Sequence, residues 1–356
     1  MKEQSIERPS AEDLLDDWTS TSDQLQQGWR GHVEITAGDA KLTIADAFCG
    51  GGGVSEGAGQ AGFAVVVSFD HKGKKIVTHQ LNFPDCNSIR CSVNEFIERF
   101  KDRRLQVDVL HLSPPCQPYS AANTRPNQAK NDQNQAPLFA CADVIRSLRP
   151  RIVTIEETPG ILKRHPEWFN ALVQQLSELG FSLRWATLRC ADFGVPQKRE
   201  RLIIIAAAPG EDLPSFPKPT HEVGTVTIQT VLDAVRVEPG LTHHDTRTHS
   251  RWARKEPYDA RCLANTITCG GGGENYHPSG KRPFTIRELA CLQTFPMTYR
   301  FPDFGLTELR EQIGNAVPPL MMKAILETVK RSLVQSDEAR VRRMRRHEVI
   351  DLTEMD

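Results

Sequence analysis

At residues 41–57 the chain reads KLTIADAFCGGGGVSEG: a short apolar run, four consecutive glycines, then a stretch compatible with a helix. Glycines between a strand and a helix let a ligand approach the backbone, and the helix N-terminus offers free N–H groups. The pattern is neither GxGxxG nor a Walker loop, since no Gly-Lys-Ser/Thr follows. On the glycines alone, a nucleotide-type ligand and a purely structural turn are equally open. Asp70 ends the next apolar run, FAVVVSFD, about 20 residues on, where an acid can accept from ribose hydroxyls or cap a helix. Together the two features favour an adenosine-containing cofactor at the carboxyl edge of a parallel sheet.

The rest of the chain extends this pattern. KGKKIVTHQLNF reads as a helix; VDVLHL, RIVTIEE and RLIIIAAA are short β-branched runs; LFACADVIRSL and WFNALVQQLSELG are helical. Strands alternating with helices predict an α/β fold with a doubly wound, mostly parallel sheet. FSLRWATLRC followed closely by RLIIIAAA predicts a hairpin and one antiparallel sheet edge. Residues 41–208 and 305–333 are assigned to this catalytic and cofactor-binding domain. Residues 1–40 are polar and acid-rich and are expected to form a peripheral or disordered arm. Residues 209–304, rich in Pro, Gly, His and Thr up to about 283, are expected to be a small irregular domain and hinge. Residues 334–356 form a tail, first basic (ARVRRMRRH), then acidic (EVIDLTEMD).

Composition narrows the classes. The 356 residues carry a formal net charge of −1, so no global basic field announces nucleic acid. No apolar stretch is long enough to span a membrane. Nine cysteines, without CxxC pairs, suit free thiols better than a disulfide framework. No metal site is expected: His243, His244 and His249 cluster without a cysteine pair.

One of those thiols stands apart. In HLSPPCQPYS, residues 111–120, Pro114, Pro115 and Pro118 stiffen the backbone around Cys116. A buried cysteine in a proline-rich turn is the plainer reading; a nucleophile at a strand end is the sharper one. Glu156 and Glu157 end the strand RIVTIEE, and Arg199 and Arg201 lie in PQKRERL. In a doubly wound sheet these strand ends open on the same edge as the glycine loop. A cysteine beside a glutamate acid suits addition to an electron-poor ring whose nitrogen the acid protonates.

Four motifs in order, DAFCGGGG, SPPCQPYS, FGVPQKRERLIII and QIGNAVPPL, together resemble the DNA cytosine-5 methyltransferase family from about Leu42 to about Leu333. The family's usual Glu-Asn-Val is replaced by Glu156-Glu157-Thr158, which resembles the fungal RIP-defective, repeat-silencing group. The resemblance implies a class I methyltransferase fold and S-adenosylmethionine as methyl donor. It implies a flipped cytosine, with Cys116 as nucleophile on C6, Glu156 on N3 and the exocyclic amine, Arg201 on O2, and Arg199 supporting the catalytic loop and pocket. Phe48, Gly50, Gly52, Asp70, His71, Ser92, Pro114 and Asn315 take the cofactor positions. His71 and Ser92 stand where a larger aromatic and an aspartate are usual. Two adjacent carboxylates, if buried, should raise the pKa of one.

Double-stranded DNA is the partner this implies. Gln117, Ser120, Arg251, Arg254, Thr266 and Gly271 are the candidate DNA contacts, with Trp252 and Tyr276 interleaved for stacking. ANTITCGGGG resembles the family's threonine-rich recognition segment. The Arg-rich tail is expected either to aid DNA affinity and nuclear import or to be a solvated helix. Residues 349–353 resemble a SUMO-interacting motif, an extended segment that adds to a sheet edge. Nuclear DNA methylation in chromatin or repeat silencing is the leading expectation. A transfer-RNA cytosine methyltransferase and a catalytically weak chromatin-binding protein are the alternatives.

Overall fold

The structure, a computed structural model, describes residues 41–102, 105–115, 138, 140–235, 256–269 and 276–353, the last stretch from 344 as backbone only. The N-terminal arm, residues 1–40, lies outside the described residues, as do Cys116, Gln117, Ser120, Arg251, Trp252, Arg254 and Gly271.

From Thr43 the chain alternates as its pattern predicts. In chain order come β1 (Thr43–Ala47), α1 (Gly53–Gln60), β2 (Ala64–Asp70), α2 (Gly73–Asn82), β3 (Asn87–Arg90), α3 (Val93–Phe100) and β4 (Val109–Leu112). Then follow α4 (Cys141–Leu148), β5 (Ile152–Glu157), α5 (Gly160–Arg164), α6 (Pro166–Glu178), β6 (Ser182–Arg189) and β7 (Glu200–Ala207). The strands form one sheet in the order β3-β2-β1-β4-β5-β7-β6. Only β7 runs against its neighbours, β5 and β6.

The reversed strand therefore lies one place in from the edge, and β6 closes the edge. Burial explains the arrangement. In β7 consecutive residues feed opposite faces: Leu202, Ile204 and Ala206 pack into one apolar cluster, Ile203, Ile205 and Ala207 into another. A strand apolar on both faces belongs between two others. β6 alternates, with Trp185 46% exposed, and suits an edge.

The first cluster is covered by α3, α4 and α6. The second is covered by α1 and by the first half of the last helix, α10, which spans Pro319–Thr353. Met321, Ile325, Leu326, Val329 and Leu333 of α10 are buried there, each worth about 1.5–3 kcal/mol. A third cluster joins α7 (Ile228–Ala234), α8 (Ile286–Leu292) and α9 (Leu306–Asn315) with Ala264, Ile267 and Phe284. This cluster continues through Leu309 and Ile313, across the boundary expected at 304/305.

The tail differs from its expected form. α10 continues as helix through Thr353, so residues 349–353 are helical, not an extended strand. Its course also takes the tail away from the cleft. Near its start Pro319 O crowds Gly57; further on, Lys330 Nζ donates to Ala61 O, and Arg151, just before β5, pairs with Asp337. Eighteen residues of helix span roughly 27 Å, so the exposed Arg342 and Arg343 emerge at the amino edge of the sheet. The described part of the Arg-rich stretch, Arg340 to Arg343, is thus on the side opposite the glycine loop.

Candidate active site and cofactor cleft

The glycine loop caps the carboxyl edge of β1. Phe48, Gly50 and Gly52 all have positive φ, at 59°, 55° and 87°. A Cβ at Gly52 would lie 2.3 Å from Tyr299 Oη, so packing and backbone both require glycine there. At Gly50 a Cβ would meet nothing within 4 Å. That side of the loop is open, as a ligand-holding loop must be. Tyr299 Oη donates to Gly51 O at 2.6 Å and braces the loop from behind.

Asp70 ends β2 with only 4% of its surface exposed. One carboxylate oxygen accepts from Gly50 N at 3.2 Å, the other from Lys72 N at 2.9 Å. It thus fixes the loop to the start of α2, although the side chain makes no cap at that helix's N-terminal residue. His71 is 62% exposed and lies 3.3 Å from Asp70. Asn315, at the end of α9, is exposed and accepts from Cys269 Sγ at 2.6 Å. Pro114 is buried just past β4, where Ser113 N donates to Ala47 O. Phe48 packs against Phe69 at 5.2 Å between ring centroids. These residues converge on one edge, and the open loop and buried acid fit an adenosyl ligand.

Ser92 is different. Its hydroxyl accepts from Glu95 N and donates to the Glu95 carboxylate, forming a capping box for α3. Helix capping uses the Ser92 proton and one of its lone pairs, and the second lone pair stays open to a donor such as an adenine amine.

A buried polar chain beneath the loop gave no signal in the sequence. Ser55 Oγ donates to Asp46 at 2.6 Å and lies 2.8 Å from His79 Nε2; His79 Nδ1 lies 2.8 Å from Ser88 Oγ. Burial pushes Asp46 up to about 7 and His79 down to about 3. The imidazole is therefore neutral and ties β1, α1, α2 and β3 together through hydrogen bonds, not charge.

On the other half of the sheet, Glu156 and Glu157 face opposite ways, because side chains alternate along a strand. Glu156 pairs in register with Ile203 and Glu157 with Leu202. Arg201 Nε stands 2.5 Å from Glu156 Oε1, and both side chains are largely buried. Glu157 is 1% exposed and turned into the core. Burial first, and Glu156 second, push its carboxyl well above the usual glutamate value. One of two adjacent acids was expected to shift; the geometry makes it Glu157, with its own Oε1 lacking a hydrogen-bond partner among the described residues.

Arg199 is 1% exposed, and its guanidinium donates to the carbonyls of Ile267, Gly314 and Ala316. It fastens the segment around Ile267 to the end of α9. Gln197, fully buried, does similar work: its amide nitrogen donates to Leu292 O and Gln293 Oε1, and its oxygen accepts from Ile267 N. Thr266, a candidate DNA contact, is partly exposed and donates to Lys198 O at 3.0 Å. Tyr276, expected to stack on a base, is 6% exposed and packed in the protein.

A seven-stranded, mostly parallel sheet with an open glycine loop, a buried acid and an acid–arginine pair on one edge has the class I methyltransferase fold. Residues 42–259 and 236–331 match the family described as C-5 cytosine-specific DNA methylase, and the chain belongs to it. Members of this family use S-adenosylmethionine as methyl donor. Among curated relatives, the chain is 27% identical over 329 residues to the Type II methyltransferase M1.HphI of Haemophilus parahaemolyticus, covering 81% of this chain and 86% of that one. It is 28% identical over 310 residues to M.AplI of Arthrospira platensis, covering 83% and 87%. Its fold is similar to that of a putative DNA modification methyltransferase from an Escherichia coli prophage, with a TM-score of 0.62, 21% identity and coverage of 82% and 99%. It is likewise similar to the Dnmt2 methyltransferase of S. pombe, with a TM-score of 0.60, 16% identity and coverage of 83% and 99%. No described helix is long and apolar enough to cross a membrane.

Proposed function

We propose that this chain methylates C5 of a cytosine flipped out of duplex DNA, through a covalent bond between Cys116 and C6. The observation that carries this reading is the buried Glu156–Arg201 pair at the carboxyl edge of β5 and β7. It lies beside β4, whose end leads within four residues to Cys116.

C5 of cytosine is a poor nucleophile. Adding the Cys116 thiolate to C6 while Glu156 protonates N3 turns C5 into an enamine carbon. Arg201 holds O2 as charge moves through the ring. S-adenosylmethionine, when bound, would supply the methyl group for C5, its S–CH3 bond breaking to leave S-adenosylhomocysteine. Loss of the C5 proton to a base then restores the double bond, expelling the thiolate. Gly50, Gly52, Asp70 and Asn315 would hold the donor, and Arg199 positions the pocket without touching the base.

The test is methyl transfer from labelled S-adenosylmethionine to duplex DNA and to transfer RNA by the full chain. Label in 5-methylcytosine of DNA is expected. Label confined to transfer RNA, or none in either, contradicts the reading.

The Glu156-Glu157-Thr158 sequence supports a narrower proposal, repeat silencing in a nucleus. A silencing enzyme should methylate cytosines in many contexts. The Type II methyltransferases among the relatives favour the other outcome, a single short target. Bisulfite sequencing of a methylated plasmid separates the two. The proposal that residues 349–353 bind SUMO by strand addition now requires the end of α10 to unwind.

A further inference from the structure

Lys75 lies in the first turn of α2, and its side chain is only 10% exposed. Its ammonium is 3.9 Å from Asp70 Oδ2 and 3.9 Å from Glu311 Oε1. Both distances exceed a hydrogen bond. Both oxygens also have closer donors: Gly50 N reaches the first at 3.2 Å, and Lys72 Nζ binds the second. Lys75 thus has three N–H donors and no hydrogen bond among the described residues. Two carboxylates at 3.9 Å balance its charge while its N–H donors stay open to a closer acceptor.

The surroundings say which acceptor. Asp70, the open side of Gly50, and Cys269 with its partner Asn315 all border the cleft, and Lys75 is near enough to Cys269 to influence its thiol. Resting on the methyltransferase reading above, we infer that Lys75 is a cofactor-binding residue that donates to the ribose hydroxyl oxygens of the nucleoside held by Asp70. A hydroxyl can donate to the carboxylate and accept from the ammonium at once. Lys75 and Asp70 then grip the same diol with opposite charges, and the ligand supplies the hydrogen bonds Lys75 lacks. Lys72 cannot play this part, because its ammonium is already bound to Glu311 and is more exposed.

The test is equilibrium binding to the full chain, with Lys75→Met, Lys75→Arg and the unaltered protein. The ligands are S-adenosylhomocysteine, adenosine and 2′,3′-dideoxyadenosine, the last two by competition. Lys75→Met should weaken S-adenosylhomocysteine and adenosine by about tenfold or more and leave 2′,3′-dideoxyadenosine unchanged. Lys75→Arg, which keeps a donor, should recover part of the loss. Thermal melts of the free variants establish that they are folded. Equal weakening of all three ligands would make Lys75 merely structural. Weakening of S-adenosylhomocysteine alone would assign it to the amino-acid end. Unchanged affinities would remove it from the site. Each of these overturns the inference. If the unaltered protein fails to bind S-adenosylhomocysteine, the methyltransferase reading itself fails.

Discussion

Arg201 Nε stands 2.5 Å from Glu156 Oε1 across the β5–β7 ladder. Two groups that would grip neighbouring atoms on one edge of a cytosine here grip each other. The contact engages Glu156 Oε1 and Arg201 Nε, which leaves the second carboxylate oxygen of Glu156 for an incoming base. The closed pair also keeps either charge from standing alone in the core, which would cost several kcal/mol.

Glu156→Gln should therefore lower the single-turnover rate of methyl transfer by ~10²–10⁴-fold, the usual worth of a positioned acid. Arg201→Lys should also be impaired, because an ammonium cannot reproduce the planar donor set. Rapid-quench assays with saturating DNA and cofactor measure both. A Glu156→Gln enzyme within tenfold of the parent would remove Glu156 from the chemistry.

Glu157 should govern part of the pH dependence of stability. Its carboxyl is raised in the folded protein above the usual value of 4.5, by burial and then by Glu156. A raised acid contributes stability that is full below the unfolded value and is lost as pH climbs through the folded one. The parent should therefore lose thermal stability relative to Glu157→Gln on going from acidic to alkaline buffer. Parallel melting curves across that range would show that Glu157 does not titrate there. Glu157→Asn should keep activity or raise it.

Arg199→Met should cost about 3 kcal/mol or more, because three carbonyls lose their donors in the core. Chemical denaturation measures it. Unlike Glu156→Gln, this variant should show its defect first in stability and cofactor affinity. A stable Arg199→Met with normal binding but no turnover would instead make Arg199 a contact of the base.

The tail should be separable from catalysis. Arg151 joins Asp108, Glu211 and Asp337, and Arg340 adds to Glu211. Arg151→Ala should loosen the second half of α10, seen as faster proteolysis beyond Leu333, with methylation of naked DNA within about twofold of the parent. Loss of methylation with the core intact would mean that the tail reaches the cleft after all.

The alternation of strands and helices, the glycine loop and the edge that collects Asp70, Glu156 and Arg201 were legible because each rests on a local rule. Apolar runs, glycine and strand ends carry that information in single residues. What was not legible depends on long-range pairing. The place of β7 between β5 and β6 follows from burial on both faces, although RLIIIAAA already carried that hint. The three-carbonyl grip of Arg199 and the buried polar chain through His79 are set by neighbours distant in sequence, whereas the Ser92 capping box is a local Ser-x-x-Glu pattern. Tyr276 looked like a stacking residue by composition, yet its ring is buried inside the protein.

The central claim is that Cys116 attacks C6 of a flipped cytosine, and covalent trapping tests it most directly. A duplex with 5-fluorocytosine at the methylated position should block release of the thiolate, since fluorine cannot leave as the C5 proton does. With S-adenosylmethionine present, the intact chain should form a denaturant-resistant complex with that duplex, and Cys116→Ser should form none while still binding cofactor. A parent protein that methylates DNA but forms no adduct, or an adduct that persists in Cys116→Ser, would contradict it.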